Sequence, residues 1–168
     1  VTKSYEGIEA YDIEVYSGRT SAVASDDGFN AAGGDGSGTT NGGWGQGGMS
    51  TSTGIINIYG GYIYSRASGD GFDSNGNINM TGGTLLVCGP TSGGNGIFDI
   101  GDNGSTFNHT GGIIFGLGTS DMAVYPNSSY ISASGTLSSN SLISVADSSG
   151  NALAVLTVPS DMNMNGLV

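Results

Sequence analysis

Residues 69–86 read GDGFDSNGNINMTGGTLL, and this stretch contains two elements that recur along the chain. The first is a glycine followed by an apolar residue and then by Glu, Asn or Asp, and it recurs as YEGIEA (5–10), DDGFNA (26–31), GDGFDS (69–74) and NGIFDI (95–100). The second is an alternating run with a glycine turn, and it recurs as DIEVYSGRT (12–20), INIYGGYIY (56–64), INMTGGTLL (78–86) and FNHTGGIIF (107–115). An isolated unit of about 22 residues cannot bury its apolar side, whereas stacked units can.

The alternation within each run predicts which side chains point inward. When the runs are aligned, their inward residues form four columns that would stack from one unit to the next. The columns are Ile13, Ile56 and Ile78; Val15, Ile58 and Met80; Thr20, Ile63, Leu85 and Ile114; and Phe29, Phe72 and Phe98. Short strands that repeat the same turn chemistry in the same phase predict an all-β, single-stranded parallel β-helix, a solenoid that forms one domain over residues 1–168.

Two segments depart from the repeat. Residues 32–54 are rich in Gly, Ser and Thr, and we interpret them as a long Gly-rich loop inserted between two coils. After Pro126 the Gly-Gly phase is lost, although residues 141–158 still predict two strands around a turn at Ser149 and Gly150. We therefore expect a final coil or cap over about residues 127–168.

The charge balance limits the partners of the protein. The formal net charge is −11, and Lys3, Arg19 and Arg66 are the only basic residues besides His109. Binding to nucleic acid needs cations that displace counterions from phosphate, so the sequence argues against a nucleic acid partner and against an anionic membrane surface. It contains no apolar run that would insert into a membrane. The lone Cys88 is expected to be a buried small residue.

Acidic and amide residues fall into two further columns when the repeats are aligned. The first column comprises Glu6, Asp27, Asp70 and Asn95, and the second comprises Glu9, Asn30, Asp73 and Asp99. Stacked carboxylates about 5 Å apart repel by about 1 kcal/mol in water and by more when they are partly buried. Because neither column contains Lys or Arg, we expect a bound cation, and carboxylate, amide and carbonyl oxygens suit Ca²⁺. The alternative is an Asp-Gly turn in which each aspartate caps its own backbone.

Four phrases together resemble a bacterial family of secreted carbohydrate-binding domains. They are SYEGIEA (4–10), DDGFNAAG (26–33), SGDGFDSNGNINMTGGT (68–84) and GGIIFGLGTSDM (111–122), and the resemblance covers roughly residues 4–122. It implies a right-handed parallel β-helix similar to that of pectate lyases, Ca²⁺ bound at the Asp-Gly corners, and binding of plant cell-wall polysaccharide. By motif match, the calcium ligands that it implies are Glu6, Glu9, Asp26, Asp27, Asn30, Asp70 and Asp73. Asp99 joins these candidates through its place in the second column.

We therefore expect a non-catalytic, calcium-dependent binding module for an acidic pectic glycan such as polygalacturonate, with cellulose as a second candidate ligand. Aromatic side chains stack on sugar rings, and the candidates are Trp44 in the inserted loop and the outward-facing Tyr62 and Tyr64. The alternatives are that Trp44 folds back on the coil beneath it and that the tyrosines are ordinary β-surface residues. The expected location is the bacterial exterior or cell surface, with the chain monomeric or part of a larger surface protein.

Two other functions remain open at this point. A polysaccharide lyase would need a base at the α-proton of a uronate, and Arg66, four residues before Asp70, is the candidate. A structural spacer or adhesin would use calcium only to hold its coils together, so its stability would depend on calcium although it would bind no sugar. His109 aligns with Met80 and Ile58 and is expected to point into the core rather than to act as a base or a metal ligand.

Overall fold

The computed structural model describes residues 1–31, 53–91, 93–102, 104–119, 121–159 and 164–167, and for the last of these segments only the backbone. These residues form strands, turns and bends but no helix. A helix that could cross a membrane is accordingly not found among them. The predicted loop at 32–54 lies outside the described residues, apart from its last two positions.

The described strands follow one another in short steps along the chain. They are β1 (Ile8–Ala10), β2 (Ile13–Val15), β3 (Arg19–Val23), β4 (Phe29–Ala31), β5 (Ile56–Ile58), β6 (Tyr62–Arg66), β7 (Phe72–Ser74), β8 (Ile78–Met80), β9 (Thr84–Cys88), β10 (Phe98–Ile100), β11 (Phe107–His109), β12 (Ile113–Leu117), β13 (Ala133–Leu137), β14 (Leu142–Ala146), β15 (Ala152–Thr157) and β16 (Met164–Leu167).

The first twelve strands form three parallel sheets. The first sheet has the order β1-β4-β7-β10, the second β2-β5-β8-β11 and the third β3-β6-β9-β12. Each group of three consecutive strands therefore adds one strand to every sheet. The prediction of an all-β chain with stacked parallel strands is confirmed, and the arrangement is consistent with a parallel β-helix.

The members of each predicted apolar column pair with one another in the registers of these sheets. In the first sheet Phe29 pairs with Phe72, and Phe98 follows in the same register. The rings of Phe29 and Phe72 are nearly parallel, with centroids 4.5 Å apart, and both residues are fully buried. Such a ring pair contributes about 0.5–1.5 kcal/mol beyond the burial of its area. The core is thus a continuous stack, to which Ile56 and Ile78 of the second sheet contribute in the same way.

The two kinds of glycine have different roles. The glycine turns between the second and third sheets place Gly61 and Gly83 at a φ of +93°, where an L side chain is strained. In contrast, the glycine of the Asp-Gly element does not have a positive φ. A Cβ on Gly28 would collide with the Ser65 hydroxyl, and one on Gly71 would collide with the Val87 side chain, both inside the third sheet. The Asp-Gly corner therefore needs glycine because two sheets approach closely there.

The C-terminal strands do not continue the parallel stack. Strands β14 and β15 pair antiparallel with each other around a turn in which Asp147 accepts hydrogen bonds from the backbone N–H groups of Ser149 and Asn151. The two predicted strands are confirmed, and of the expected coil or cap their antiparallel pairing does not form a parallel coil. Its physical reason is that so short a connection joins only antiparallel neighbours, since parallel strands need a longer crossover.

The C-terminal strands cover the outer side of the third sheet instead. Leu86, Cys88 and Leu117 point outward from that sheet and are buried together with Val158, and Leu137, Ile143 and Leu156 pack against this second apolar cluster. Cys88, the one cysteine of the sequence, is fully buried, as the sequence predicted. The outward residues of the third sheet are therefore partly unavailable to a ligand.

Replacing glycines at the turn between the second and third sheets tests the stacking. Gly18→Ala and Gly61→Ala both force a side chain into the positive-φ region, which costs about 1–2 kcal/mol. At Gly61 the new Cβ would also lie 2.9 Å from the carbonyl oxygen of Gly18, whereas at Gly18 no atom lies within 4 Å. We expect Gly61→Ala to lower the free energy of unfolding, measured in urea, by more than Gly18→Ala. Equal losses would contradict the close approach of these two turns.

Candidate metal centre

The second predicted column lies on the outer side of the first sheet. Glu9 pairs with Asn30, Asn30 with Asp73, and Asp73 with Asp99. These residues alternate with the buried phenylalanines, so the stacking of the rings inside fixes the stacking of the polar groups outside. The prediction of this column is confirmed.

The first predicted column needs one correction. Because Phe98 pairs with Phe72, Gly96 lies opposite Asp70, and Asn95 is displaced from the column. The sequence has one residue between Gly96 and Phe98 but none between Gly71 and Phe72. Alignment on glycine therefore misplaced Asn95 by one residue, whereas Phe98 and Asp99 lie in their predicted columns, since the buried rings and not the glycines set the register.

The aspartates of the first column cap backbone groups of the following unit. The N–H of Asp70 donates to Oδ1 of Asp27 at 2.7 Å, and the N–H of Gly96 donates to Oδ1 of Asp70 at 2.5 Å. The alternative in which each aspartate caps its own backbone is wrong for this pair, because each carboxylate accepts from an N–H group of the following unit. Each of the two carboxylates makes no hydrogen bond through Oδ2 within the described part of the chain.

Asp27, Asp70 and Asp73 converge at this corner. Each offers a carboxylate oxygen, and the three oxygens lie within 4.8 Å of one another. Asp70 is only 8 % exposed, and Asp73 has no hydrogen bond to any described residue. Ca²⁺ holds its ligands at about 2.3–2.6 Å, so oxygens around one ion lie at most roughly 5 Å apart. This cluster could hold a metal ion.

The electrostatics of the cluster favour a bound cation. Burial and, after it, the charges of Asp27, Asp70, Asp99 and Glu6 together raise the pKa of Asp73 to about 7. Burial is also the largest cause that raises the pKa of Asp70 to about 6, although the N–H of Gly96 opposes the shift. Every charged group that shifts these two pKa values is itself a carboxylate. A metal ion would supply the opposite charge that these two carboxylates lack.

Two further oxygen atoms near the cluster have unmet hydrogen-bonding capacity. Oε2 of Glu6 and Oδ1 of Asn30 are buried without a hydrogen-bond partner among the described residues. Asn30 stands beside Asp73 in the first sheet, and the pKa of Glu6 is raised by its burial and then by the charge of Asp27. A buried oxygen without a donor costs about 1–3 kcal/mol, which coordination to a cation would offset. These carboxylate and amide oxygens are the hard donors that Ca²⁺ prefers.

The other predicted metal ligands do not join the cluster of three. Glu9 is exposed in the first unit, and Asp99 accepts a hydrogen bond from the N–H of Ile100 at 2.8 Å. Asp26 faces the Tyr5 phenol, whose pKa it raises through a hydrogen bond and through its charge. Glu9, Asp26 and Asp99 therefore surround the centre, and their role as direct ligands stays a prediction.

The predicted glycan contacts have different surroundings. Trp44 lies outside the described residues. Tyr62 faces outward on β6, and the guanidinium carbon of Arg19 lies 4.5 Å above its ring centroid. Tyr64 also faces outward, but it packs against the apolar cluster beneath the C-terminal strands. Of the predicted aromatic contacts that the structure describes, Tyr62 is thus the one outside this cluster.

The structure also locates Arg66 and His109, the two other residues that the sequence analysis discussed. Arg66 ends β6 on the outer side of the third sheet, where it pairs in register with Cys88. His109 pairs with Met80 as predicted but is only half-buried, and its Nδ1 lies 2.7 Å from the Ser128 hydroxyl oxygen. Among the described residues β11 is the end strand of the second sheet, so no further parallel strand covers His109. This position explains its partial exposure.

Sequence reasoning missed an amide column on the second sheet. Its members are Asn57, Asn79, Asn108 and Asn127, and they are joined by side-chain hydrogen bonds. The first three occupy the same position between two inward residues in INI, INM and FNH, so the repeat alignment contained the signal. Asn127 lies beyond the last repeat and could not be found in this way.

No family model matches the chain, and no match was found among curated proteins or among solved structures. The resemblance to a family of carbohydrate-binding domains therefore stays a prediction.

The variant Asp73→Asn should change stability in opposite directions with and without metal. In chelator it removes a buried like charge, so the melting temperature should rise by several degrees, at about 2–4 °C per kcal/mol for a chain of this size. In calcium it removes a ligand, so the melting temperature should fall below that of the wild type. Glu14→Gln is the matched control, because Glu14 is an exposed carboxylate on the second sheet. An unchanged melt in both buffers would contradict the site.

The stability of the metal-free protein should fall as the pH rises. The folded pKa of Asp73 is about 7 and that of Asp70 about 6, both above the ordinary value of 3.8. A raised folded pKa means that the stabilising contribution is present below about pH 4 and is lost as the pH rises through 6 to 7. In chelator, the melting temperature of the wild type should therefore fall relative to that of Asp73→Asn between pH 4 and pH 7.5. A parallel pH profile for the two proteins would contradict the raised pKa values.

Proposed function

We propose that the protein is a single-domain, right-handed parallel β-helix that binds an acidic plant cell-wall polysaccharide, such as polygalacturonate, through Ca²⁺ held on its acidic face. The acidic face is the set of outward carboxylates on and beside the first sheet, namely Glu6, Glu9, Asp26, Asp27, Asp70, Asp73 and Asp99. The observation that carries the proposal is the convergence of Asp27, Asp70 and Asp73 within 4.8 Å. The motif resemblance of the chain to secreted carbohydrate-binding domains supports the choice of ligand.

The net charge explains why a metal is needed for such a ligand. The chain carries a net charge of −11, so a polyuronate would be repelled from the acidic face. When bound, Ca²⁺ supplies positive charge and, with six to eight oxygen positions, accommodates a uronate carboxylate beside the protein ligands. Asp27 and Asp70 are held in place by the backbone N–H groups that they cap, so the carboxylates are oriented before any ligand arrives.

The lyase alternative would place Arg66 as the base beside the metal. Arg66 belongs to the outer side of the third sheet, whereas Asp73 belongs to the first sheet. Asp27 and Asp70 are each fixed by a hydrogen bond from a backbone N–H, an arrangement suited to holding an ion rather than to moving a proton. The proposal is therefore a non-catalytic module of the bacterial exterior or cell surface, where plant polysaccharides are encountered.

A calorimetric titration of polygalacturonate into the protein tests this proposal. With calcium we expect binding, and with chelator we expect none, because the uronate carboxylate then has no cation to meet. Asp73→Asn should raise Kd in calcium about tenfold or more, which corresponds to about 1.4 kcal/mol, while Glu14→Gln should leave Kd unchanged. Absorbance of an unsaturated uronate product, followed in the same samples, separates binding from lyase activity.

Each other outcome has a distinct meaning. Product formation that is lost in Arg66→Ala would replace the proposal by the lyase. Calcium-dependent stability without heat of binding would favour the structural spacer. Binding that persists in chelator would contradict the role of the metal.

A further inference from the structure

The sheet formed by β14 and β15 has an edge that no described strand covers. These two strands pair only with each other, so each has one edge without a partner strand in the described part of the chain. An uncovered edge presents a row of N–H and C=O groups to which another strand can add. The edge of β15 is the longer one, since β15 has six residues and β14 has five.

The backbone groups of Val155 and Thr157 face this open edge. In an antiparallel pair, alternate residues turn both of their backbone groups towards the partner strand. Val158 turns both of its groups towards β14, because its N–H donates to the carbonyl oxygen of Ser141 and its carbonyl oxygen accepts from the N–H of Asn140. Thr157 and Val155, one and three positions earlier, therefore turn theirs away from β14. Outside the β14–β15 pair, no described residue hydrogen-bonds to them.

The features that commonly protect an open edge are missing from β15. Natural edge strands are blocked by a charged residue, a proline or a bulge. The strand reads ALAVLT, which contains neither a charge nor a proline, and its register with β14 is regular from Ala154 to Thr157. Leu153 and Val155 also leave their apolar side chains 66 % and 54 % exposed. An uncharged, apolar edge of this kind is typical of a strand that pairs with another chain.

The distribution of charge indicates which chain this is. The net charge is −11, yet Asp147 is the only charged residue between positions 122 and 160. Two copies of the protein repel each other at their acidic faces, but they can meet at β15 without bringing those carboxylates together. The candidate metal centre lies on the first sheet, whereas the C-terminal strands cover the third. Because the edge offers no charge for a basic or acidic partner to recognise, an identical uncharged strand is the partner that it fits.

We propose that β15 is a homodimer interface, in which its open edge pairs antiparallel with the same edge of a second copy. Antiparallel pairing of a strand with itself is symmetric about a twofold axis, so the same backbone groups donate and accept on both sides. The two hairpins then form one sheet of four strands, and the pairing stops at two copies because it uses the β15 edge of each. The inference goes beyond the proposed function, depends on neither metal nor glycan, and departs from the monomer expected from the sequence.

Sedimentation equilibrium of the whole chain over a dilution series tests this interface. At high concentration we expect a mass twice the 16.7 kDa of one chain, in calcium and in chelator alike. Val155→Pro removes an N–H that faces the open edge and leaves the hydrogen bonds to β14 intact. It should therefore raise the Kd of the dimer about tenfold or more, since the twofold axis removes the bond twice. Val155→Lys, which places a charge on the edge, should also weaken the dimer.

Leu142→Pro and Leu142→Lys are the matched controls. Leu142 lies opposite Thr157 and is 69 % exposed, and its backbone groups face the other edge of the hairpin, that of β14. Both controls should leave the Kd within about twofold of the wild type, because they lie away from the interface. The melting temperature of every variant is measured alongside, and if Val155→Pro does not fold, the two lysine variants decide.

Three results would overturn the inference. The first is a wild type that stays monomeric at concentrations up to about 1 mM, the Kd of a very weak complex. The second is a series of masses above two copies, since pairing through the β15 edge alone is closed. The third is a dimer that Val155→Lys weakens no more than Leu142→Lys does. Calcium-dependent binding of polygalacturonate is measured separately, so either proposal can fail without the other.

Discussion

The stacking of similar residues in successive units is the constraint on which the rest of this structure depends. A parallel register that places Phe72 above Phe29 inside the first sheet also places Asp73 beside Asn30 outside it. The ring stack is favourable, but the same register gathers carboxylates at one corner, where burial raises their pKa values. The fold therefore carries a cost at its acidic face that a cation would offset, and this links the core of the protein to its candidate site.

The same register produces different chemistry on each outer side. On the first sheet it gathers charge, on the second it builds a ladder of asparagines that starts beside Glu14, and on the third it presents apolar residues that the C-terminal strands cover. The amides of the ladder hydrogen-bond to one another, because each side chain can both donate and accept. Carboxylates cannot satisfy one another in this way, since each ionised group only accepts. The outer sides therefore differ in what they require from a ligand.

Much of this arrangement could be predicted from the sequence, because period-two alternation and repeated glycine turns set the register of most units. The inward columns and the second acidic column, from Glu9 to Asp99, follow directly. Asn95 was misplaced because Gly96 is one residue further from the buried ring than Gly71 is. The partial burial of Tyr64 could not be predicted, because it depends on C-terminal strands that do not share the repeat. The reason why the Asp-Gly element needs glycine could not be predicted either, because it lies in the close approach of side chains from the third sheet.

The central claim is that one cation is held between Asp27, Asp70 and Asp73. The most direct test is a crystal structure of the protein grown with calcium, with anomalous diffraction data collected to locate the ion. The account predicts an anomalous peak between these three carboxylates, with oxygen distances of about 2.3–2.6 Å. A well-ordered corner that contains no such peak, with the carboxylates bonded only to protein groups or water at calcium concentrations that saturate any stabilisation, would contradict it.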